Sequence, residues 1–239
     1  MKTNRNIAIL VLLMIAFSSF HCPKKPAIFV IGDSISIQYG PYLKKYTAGK
    51  FDYDRKRDQG EAMKNLDNPV GANGGNSRMV VEYLTEFLHN DTLKPDIFLI
   101  NCGLHDIKTN PKTGEKDIPE EEYTHNIEKI IKLVLQAGRQ MIWIQSTPVN
   151  DSIHNSKRIG FYRYNQDALR YNAIADSLCR ENGVSVIDLY AFSEKFPLEA
   201  YQDHVHYAEK YRELQGAYIA GFLEHFITIS NEKNKTIRK

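Results

Sequence analysis

Short apolar runs alternate along the chain with segments whose apolar residues recur at helical spacing, and this alternation limits the folds open to it. The runs cover residues 27–31, 97–100, 141–144 and 184–187, with a weaker candidate at 51–53. Near-continuous apolar runs of this length are typical of strands that are buried on both faces. Helical segments between such strands predict a parallel sheet with helices on both sides, which is an α/β fold.

The helical segments carry apolar residues at three- and four-residue spacing. These residues lie within 80–88, 127–135, 169–178 and 214–222, and Gly138 and Gly183 end two of the segments. No internal repeat or linker-like tract separates them, which predicts one domain over residues 23–230. The basic residues 231–239 are expected to form a disordered tail.

The N-terminal residues 1–22 have the pattern of an export signal peptide. Two basic residues precede an almost wholly apolar run at 7–17, and this run is shorter than the ~20 residues that span a membrane. Two processing routes remain open, since a small-x-small pattern at 16–18 fits a signal-peptidase site and Cys22 fits the lipid-bearing cysteine of a bacterial lipoprotein. Either route predicts an exported protein of the periplasm or outer surface, and a buried helix is the structural alternative.

Charge and cysteine content exclude some classes of function. The formal net charge is +2, and both charges come from Lys2 and Arg5, so the chain after the signal is neutral. A neutral chain lacks the basic surface of nucleic-acid-binding proteins, and no stable protein partner is indicated. Beyond Cys22, only Cys102 and Cys179 remain. One follows a strand and the other lies in a helical segment, which favours two free buried thiols over a disulfide.

The residues with catalytic potential stand where strands end. Ser34 follows the first apolar run directly, and Asp203 and His206 lie three residues apart before the last helical segment. In parallel sheets, ligands bind beyond the carboxyl ends of the strands. Serine, aspartate and histidine in this order are the components of a serine hydrolase. Two structural alternatives remain open, because Ser34 fits a helix N-cap and the Asp203–His206 pair fits a helix cap.

Four short motifs extend this pattern along the chain. They are Gly32-Asp33-Ser34, Asn73-Gly74-Gly75-Asn76-Ser77, Gly103-Leu104-His105-Asp106 and Asp203-His204-Val205-His206. In this order they resemble the SGNH (GDSL) hydrolase family, over residues 28–222. The resemblance implies a flavodoxin-like three-layer α/β/α sandwich with a central parallel five-stranded sheet, the SGNH hydrolase fold.

The resemblance also implies a role for each motif residue. Ser34 is the expected nucleophile, His206 the proton acceptor and donor, and Asp203 the residue that orients the imidazole. The backbone N–H groups of Ser34 and Gly75 and the side chain of His105 are the expected oxyanion hole. The family most often carries asparagine at position 105, and a histidine donor depends on its tautomer. A plain turn is the alternative for Gly75.

Substrate binding is less sharply indicated. The segment 150–164 is rich in aromatic and basic residues and is either a substrate wall or a solvated loop. The candidate substrate-binding residues are Asp33, Asn76, Arg158, Tyr162 and Arg163. His204 and His206 flank Val205 as metal ligands would, but no further ligand cluster accompanies them, so neither a metal nor another cofactor is expected.

The sequence thus predicts a serine esterase that acts through an acyl-serine intermediate. The resemblance implies an O-acyl ester of a carbohydrate as substrate, with acetyl as the expected acyl group on a small molecule, oligosaccharide or polysaccharide. A lysophospholipase or thioesterase with the same triad is one alternative. A catalytically inactive glycan-binding protein is the other, and the histidine at position 105 is its main support.

Overall fold

The computed structural model of the chain describes residues 24–90 and 93–237, with side chains as far as residue 229. The predicted signal peptide at residues 1–22 and the possible lipid anchor at Cys22 lie outside the described residues. No helix within the described part of the chain is long and apolar enough to cross a membrane.

A five-stranded sheet forms the centre of the fold. Its strands are β1 (Ala27–Ile31), β2 (Asp52–Arg55), β3 (Ile97–Ile100), β4 (Gln140–Ile144) and β5 (Ser185–Ile187). All pairs are parallel, in the order β2-β1-β3-β4-β5, which is the flavodoxin-like order. The predicted α/β fold is therefore confirmed. The edge strand β2 covers Asp52–Arg55, whereas the sequence indicated residues 51–53. Because this strand is only partly buried, it has no continuous apolar run from which its bounds could be predicted.

Helices cover both faces of this sheet. They are α1 (Ser34–Thr47), α2 (Glu61–Lys64), α3 (Ser77–Asn90), α4 (Glu120–Gln136), α5 (Asp151–Ser156), α6 (Asn165–Glu181), α7 (Leu189–Glu194) and α8 (Glu209–Ile237). On one side α1 packs against α8, and on the other α4 packs between α3 and α6. The four predicted helical segments are present, whereas the short α2, α5 and α7 carry too few turns to show a period. The backbone of α8 also continues through residues 231–237, where the sequence predicts a tail.

The core lies between the sheet and its helices. Strands β1, β3 and β4 contribute almost entirely buried side chains, including the fully buried Trp143. Cys102 and Cys179 are both buried free thiols, as expected. The strand residues point to both faces, which explains why their sequences are apolar at every position.

The order of the strands creates a crevice beside β1. The chain leaves β1 toward β2 on one side, and β3 lies on the other, so the loops after β1 and β3 diverge at this point. The loop before α3 is tied to both. Gly74 N–H donates to the Gly32 carbonyl at 2.8 Å, and Ser77 N–H donates to Asp106 Oδ1 at 2.8 Å. Three of the four motifs are thereby fixed around one crevice.

Candidate active site

Ser34 is the first residue of α1. The N-cap is its neighbour Asp33, whose Oδ1 accepts a hydrogen bond from Ile35 N–H at 3.0 Å. The capping alternative for Ser34 is therefore wrong, and its hydroxyl is free for another partner. Because the first N–H groups of a helix have no intrahelical acceptor, the Ser34 N–H points out of the helix end, where the helix dipole is positive.

The hydroxyl of Ser34 contacts the motif that lies near the C-terminal end of the sequence. Ser34 Oγ lies 2.8 Å from His206 Nε2, and His206 Nδ1 lies 2.8 Å from Asp203 Oδ2. Ser34 is 5% exposed and His206 is 2% exposed. The structure thus brings the three predicted catalytic residues into one hydrogen-bonded chain, in which Nδ1–H donates to the carboxylate and Nε2 accepts from the serine.

Asp203 also shapes the loop that presents His206. Its Oδ1 accepts hydrogen bonds from the backbone N–H groups of Val205 at 2.9 Å and His206 at 2.8 Å. Burial by itself raises the pKa of Asp203, but the bonds from the His206 side chain and from these two N–H groups outweigh it and hold that pKa well below its ordinary value. The helix-cap alternative is wrong for this pair, because α8 begins only at Glu209.

The loop before α3 supplies Gly75. Its φ is +70°, and a Cβ there would lie 2.5 Å from Met79 Sδ, so only glycine fits without a rearrangement. Its N–H donates to Asn73 Oδ1 at 3.0 Å. The predicted oxyanion donor is therefore already engaged in a local turn, and it would have to share or exchange that bond to serve an oxyanion. Sequence reasoning assigned no role to Asn73.

His105 follows β3 and is 2% exposed. Burial, together with the positive charges of Lys108 and Arg163 and the proximity of His206, lowers the pKa of His105 well below its ordinary value. The ring is therefore neutral near pH 7 and carries one N–H donor. Its Nδ1 is buried without a hydrogen-bond partner among the described residues.

Three of the five predicted substrate-binding residues have structural partners instead. Asp33 is 1% exposed and caps α1. Asn76 bridges Met79 N–H and Asp117 Oδ2, and Arg163 is 2% exposed with its Nε donating to the Leu104 carbonyl at 2.6 Å. These bonds give all three side chains a structural role, while Asp33 Oδ2 and Arg163 Nη1 have no hydrogen-bond partner among the described residues; direct substrate binding by the three stays a prediction.

The other two candidates lie in the segment between α5 and α6. Arg158 is exposed with a φ of 51°. Tyr162 is partly buried, and its backbone pairs with Thr109 through hydrogen bonds of 2.8 and 2.9 Å. The segment is therefore joined to the loop after β3, and its role as a substrate wall stays a prediction.

A second hydrogen-bonded chain runs beside the catalytic one. His204 Nε2 lies 2.9 Å from Asp67 Oδ2, and His204 Nδ1 lies 2.9 Å from His154 Nδ1. Burial lowers the pKa of His154 to about 3, so this ring is neutral. Sequence reasoning missed this chain because its members are 50 and 137 residues apart.

One group of three potential metal ligands occurs in the described residues, namely Asp203, His204 and His206. Their ligand atoms lie within 4.8 Å of one another. Both ring nitrogens of His206 and both of His204 are already hydrogen-bonded. A metal ion would therefore have to displace the bonds that hold the catalytic chain together.

Comparison with known proteins agrees with this geometry. The sequence model of the GDSL-like lipase/acylhydrolase family matches residues 30–211, which include all four motifs. No curated protein sequence matches the chain.

Solved structures share the fold at low sequence identity. The lipase/acylhydrolase from Enterococcus faecalis has a TM-score of 0.63 and 17% identity, over 84% of this chain and 96% of that one. The carbohydrate acetylesterase Est24 from Sinorhizobium meliloti has a TM-score of 0.56 and 15% identity, over 84% and 100%. The esterase EstA from Pseudoalteromonas sp. has a TM-score of 0.58 and 14% identity, over 85% and 100%.

Proposed function

The chain belongs to the GDSL-like lipase/acylhydrolase family, and on this premise we propose that it is a serine esterase that removes acyl groups, acetyl first among them, from carbohydrates. The observation that carries the proposal is the unbroken chain from Ser34 Oγ through His206 to Asp203, with two bonds of 2.8 Å. A nucleophile within reach of a base that is itself oriented by a third group is the arrangement that acyl transfer requires.

The reaction follows from this arrangement in two steps. Ser34 Oγ attacks the ester carbonyl while His206 Nε2 takes the hydroxyl proton, and the same proton then passes to the departing alcohol. Asp203 stabilises the imidazolium that exists between the two transfers. Water then attacks the acyl-serine, again giving its proton to His206, and the carboxylic acid is released as Ser34 recovers its proton.

The negative charge of the tetrahedral intermediates needs hydrogen-bond donors. The Ser34 N–H at the start of α1 is one of them. The Gly75 N–H is the second, and the neutral His105 ring supplies the third when its proton is on the nitrogen that faces the intermediate.

Two observations support a carbohydrate ester. The first is that one solved structure with this fold is named a carbohydrate acetylesterase. The N-terminal pattern at residues 1–22 supports export, which would bring the enzyme to extracellular or periplasmic glycans.

A long-chain acyl substrate is the second candidate. A groove of about 740 Å³ runs along α1 from Ile37, one helical turn after Ser34, past Pro41 to Met63. Met63 is 63% exposed, and with Ile37 and Pro41 it gives the groove an apolar strip beside charged residues such as Arg55, Asp58 and Arg212. An acyl chain bound on this strip would favour a lipase-like or thioesterase activity.

Hydrolysis of 4-nitrophenyl acetate, butyrate and octanoate by the wild type and by Ser34→Ala tests the proposal. Loss of such a nucleophile costs up to ~10⁶ in turnover, so we expect Ser34→Ala to be inactive and the wild type to prefer acetate. Acetate release from acetylated glycans is the confirming step. A preference for octanoate selects the second candidate, and equal background rates for both proteins would refute the esterase.

A further inference from the structure

An open groove of about 750 Å³ lies between the loop after β3 and the segment before α6. Its charged lining residues are Lys108, Lys112, Glu115, Lys116 and Asp117. Lys116 is already paired with Asp167 at 3.1 Å, and Asp117 accepts a hydrogen bond from Asn76 at 2.8 Å. Outside ion pairs, the lining keeps positive charges at Lys108 and at the exposed Lys112 and negative charges at Glu115 and Asp117.

Lys108 is the unusual member of this lining, because its ammonium group is half-buried and forms no ion pair with any described residue. Its Nζ donates to the backbone carbonyl of Asp67 at 3.3 Å and lies 4.7 Å from the centre of the Phe161 ring. The ion pairs found among the residues that the structure describes do not include Lys108. Burial and the nearby Arg163 lower the pKa of Lys108 to about 8, against the opposing effect of the carboxylates of Asp67, Asp117 and Asp33.

A second cation increases the positive potential at the same place. The guanidinium of Arg163 lies 4.8 Å from the centre of the Phe161 ring, so two cations share one aromatic side chain. Within the described part of the chain, Arg163 also has no carboxylate partner, and its Nη1 is buried without a hydrogen bond. Burying cations is costly unless an opposite charge accompanies them, and an anion in the groove would supply it.

The groove lies close to the reaction centre. Asp67 contacts both sides: its backbone carbonyl accepts from Lys108 Nζ, and its carboxylate Oδ2 lies 2.9 Å from His204 Nε2. The ring of His204 is 5.7 Å from that of His206. Three contacts thus connect Lys108 with His206, whose Nε2 lies 2.8 Å from Ser34 Oγ.

We propose that Lys108 binds an anionic group on the alcohol portion of the substrate, a carboxylate carried by a sugar ring, so that the substrates are acidic glycans. This rests on the proposed function for the reaction at Ser34, whereas the binding of the acidic sugar is independent of it. Lys108 would donate charge-assisted hydrogen bonds to the carboxylate, and Arg163 would strengthen the attraction through the positive potential it adds.

Calorimetric titration of the intact protein with two unacetylated trisaccharides tests the proposal. Trigalacturonate carries carboxylates, and xylotriose is a neutral sugar of the same length. We expect the wild type to bind trigalacturonate roughly tenfold more tightly, which is at the lower end of what a hydrogen bond between charged groups contributes.

Three variants locate the effect. Lys108→Met keeps the aliphatic stem and should abolish the preference, whereas Lys108→Arg should retain most of it. Lys129→Met removes an exposed charge from α4 and should change nothing. Equal affinity for the two sugars, no binding of either, or an unchanged preference in Lys108→Met would each overturn the proposal. Because binding is measured without turnover, these outcomes are distinct from failure of the esterase assay.

Discussion

Replacing Asp203 with asparagine separates the two tasks of this carboxylate. In the wild type, Oδ1 accepts from the backbone N–H groups of Val205 and His206, and Oδ2 accepts from His206 Nδ1 at 2.8 Å. An asparagine keeps the carbonyl oxygen for the two backbone bonds, so the loop retains its conformation. Its NH₂ group then takes the place of Oδ2 and presents a donor to Nδ1.

Two donors cannot bond each other, so His206 must carry its proton on Nε2. That nitrogen faces Ser34 Oγ at 2.8 Å and can no longer accept the hydroxyl proton. A wrong tautomer of this kind lowers kcat by about 10⁴-fold, which corresponds to roughly 5–6 kcal/mol of activation free energy. KM should change little, because Asp203 lies behind the imidazole and has no place in substrate binding.

Steady-state hydrolysis of 4-nitrophenyl acetate gives kcat and KM, and circular dichroism gives Tm. Asp188→Asn is the matched control, since Asp188 caps α7 by accepting from Ala191 N–H at 2.8 Å, and its kcat should equal that of the wild type. A kcat for Asp203→Asn within tenfold of the wild type would refute the reasoning, because the tautomer of His206 would then be set by another group.

Two further substitutions test the surroundings of the triad. Gly75→Ala should lower the free energy of unfolding by roughly 1–2 kcal/mol because of its φ of +70°, and by more because Met79 must move. Gly114→Ala is the control, since Gly114 has a φ of +74° but no atom within 4 Å of an added Cβ. Denaturant unfolding should show a smaller loss of unfolding free energy for this control. Gly75→Ala should also lower kcat about 10²-fold, because it displaces the expected oxyanion donor. An equal loss of stability in Gly75→Ala and Gly114→Ala would contradict the close contact between residue 75 and Met79. Burial raises the pKa of Asp106 from its ordinary 3.8 to about 7, so its contribution to stability is greatest below pH 3.8 and is lost as the pH rises through 7. Urea unfolding at pH 5 and pH 8 should therefore show a smaller decline for Asp106→Asn than for the wild type, and parallel declines would count against a raised pKa.

The parts of the fold that sequence predicts well are those in which local pattern and burial agree. Strands β1, β3 and β4 are buried on both faces, so their apolar runs are unambiguous. The edge strand β2 is partly exposed, and its sequence carries a weaker signal. The catalytic residues were predictable because motifs at strand ends converge on one edge of a parallel sheet.

Other features depend on partners that are distant in sequence. Arg163 looks like a substrate-binding residue in a polar segment, yet the Leu104 carbonyl, 59 residues away, holds it inside the protein. The His204–His154 contact joins two residues whose sequence surroundings indicate no pairing. The bond between Gly75 N–H and Asn73 is local, but the sequence motif alone does not say which acceptor the N–H takes.

The bond between Ser34 and His206 joins residues 172 positions apart. During synthesis, the nucleophile therefore emerges long before its base, and a growing chain carries an inert serine. Contacts of such long range form only when most of the domain has folded. We therefore expect hydrolytic activity only from the completed domain, since a partly made or partly unfolded molecule does not bring Ser34 and His206 together.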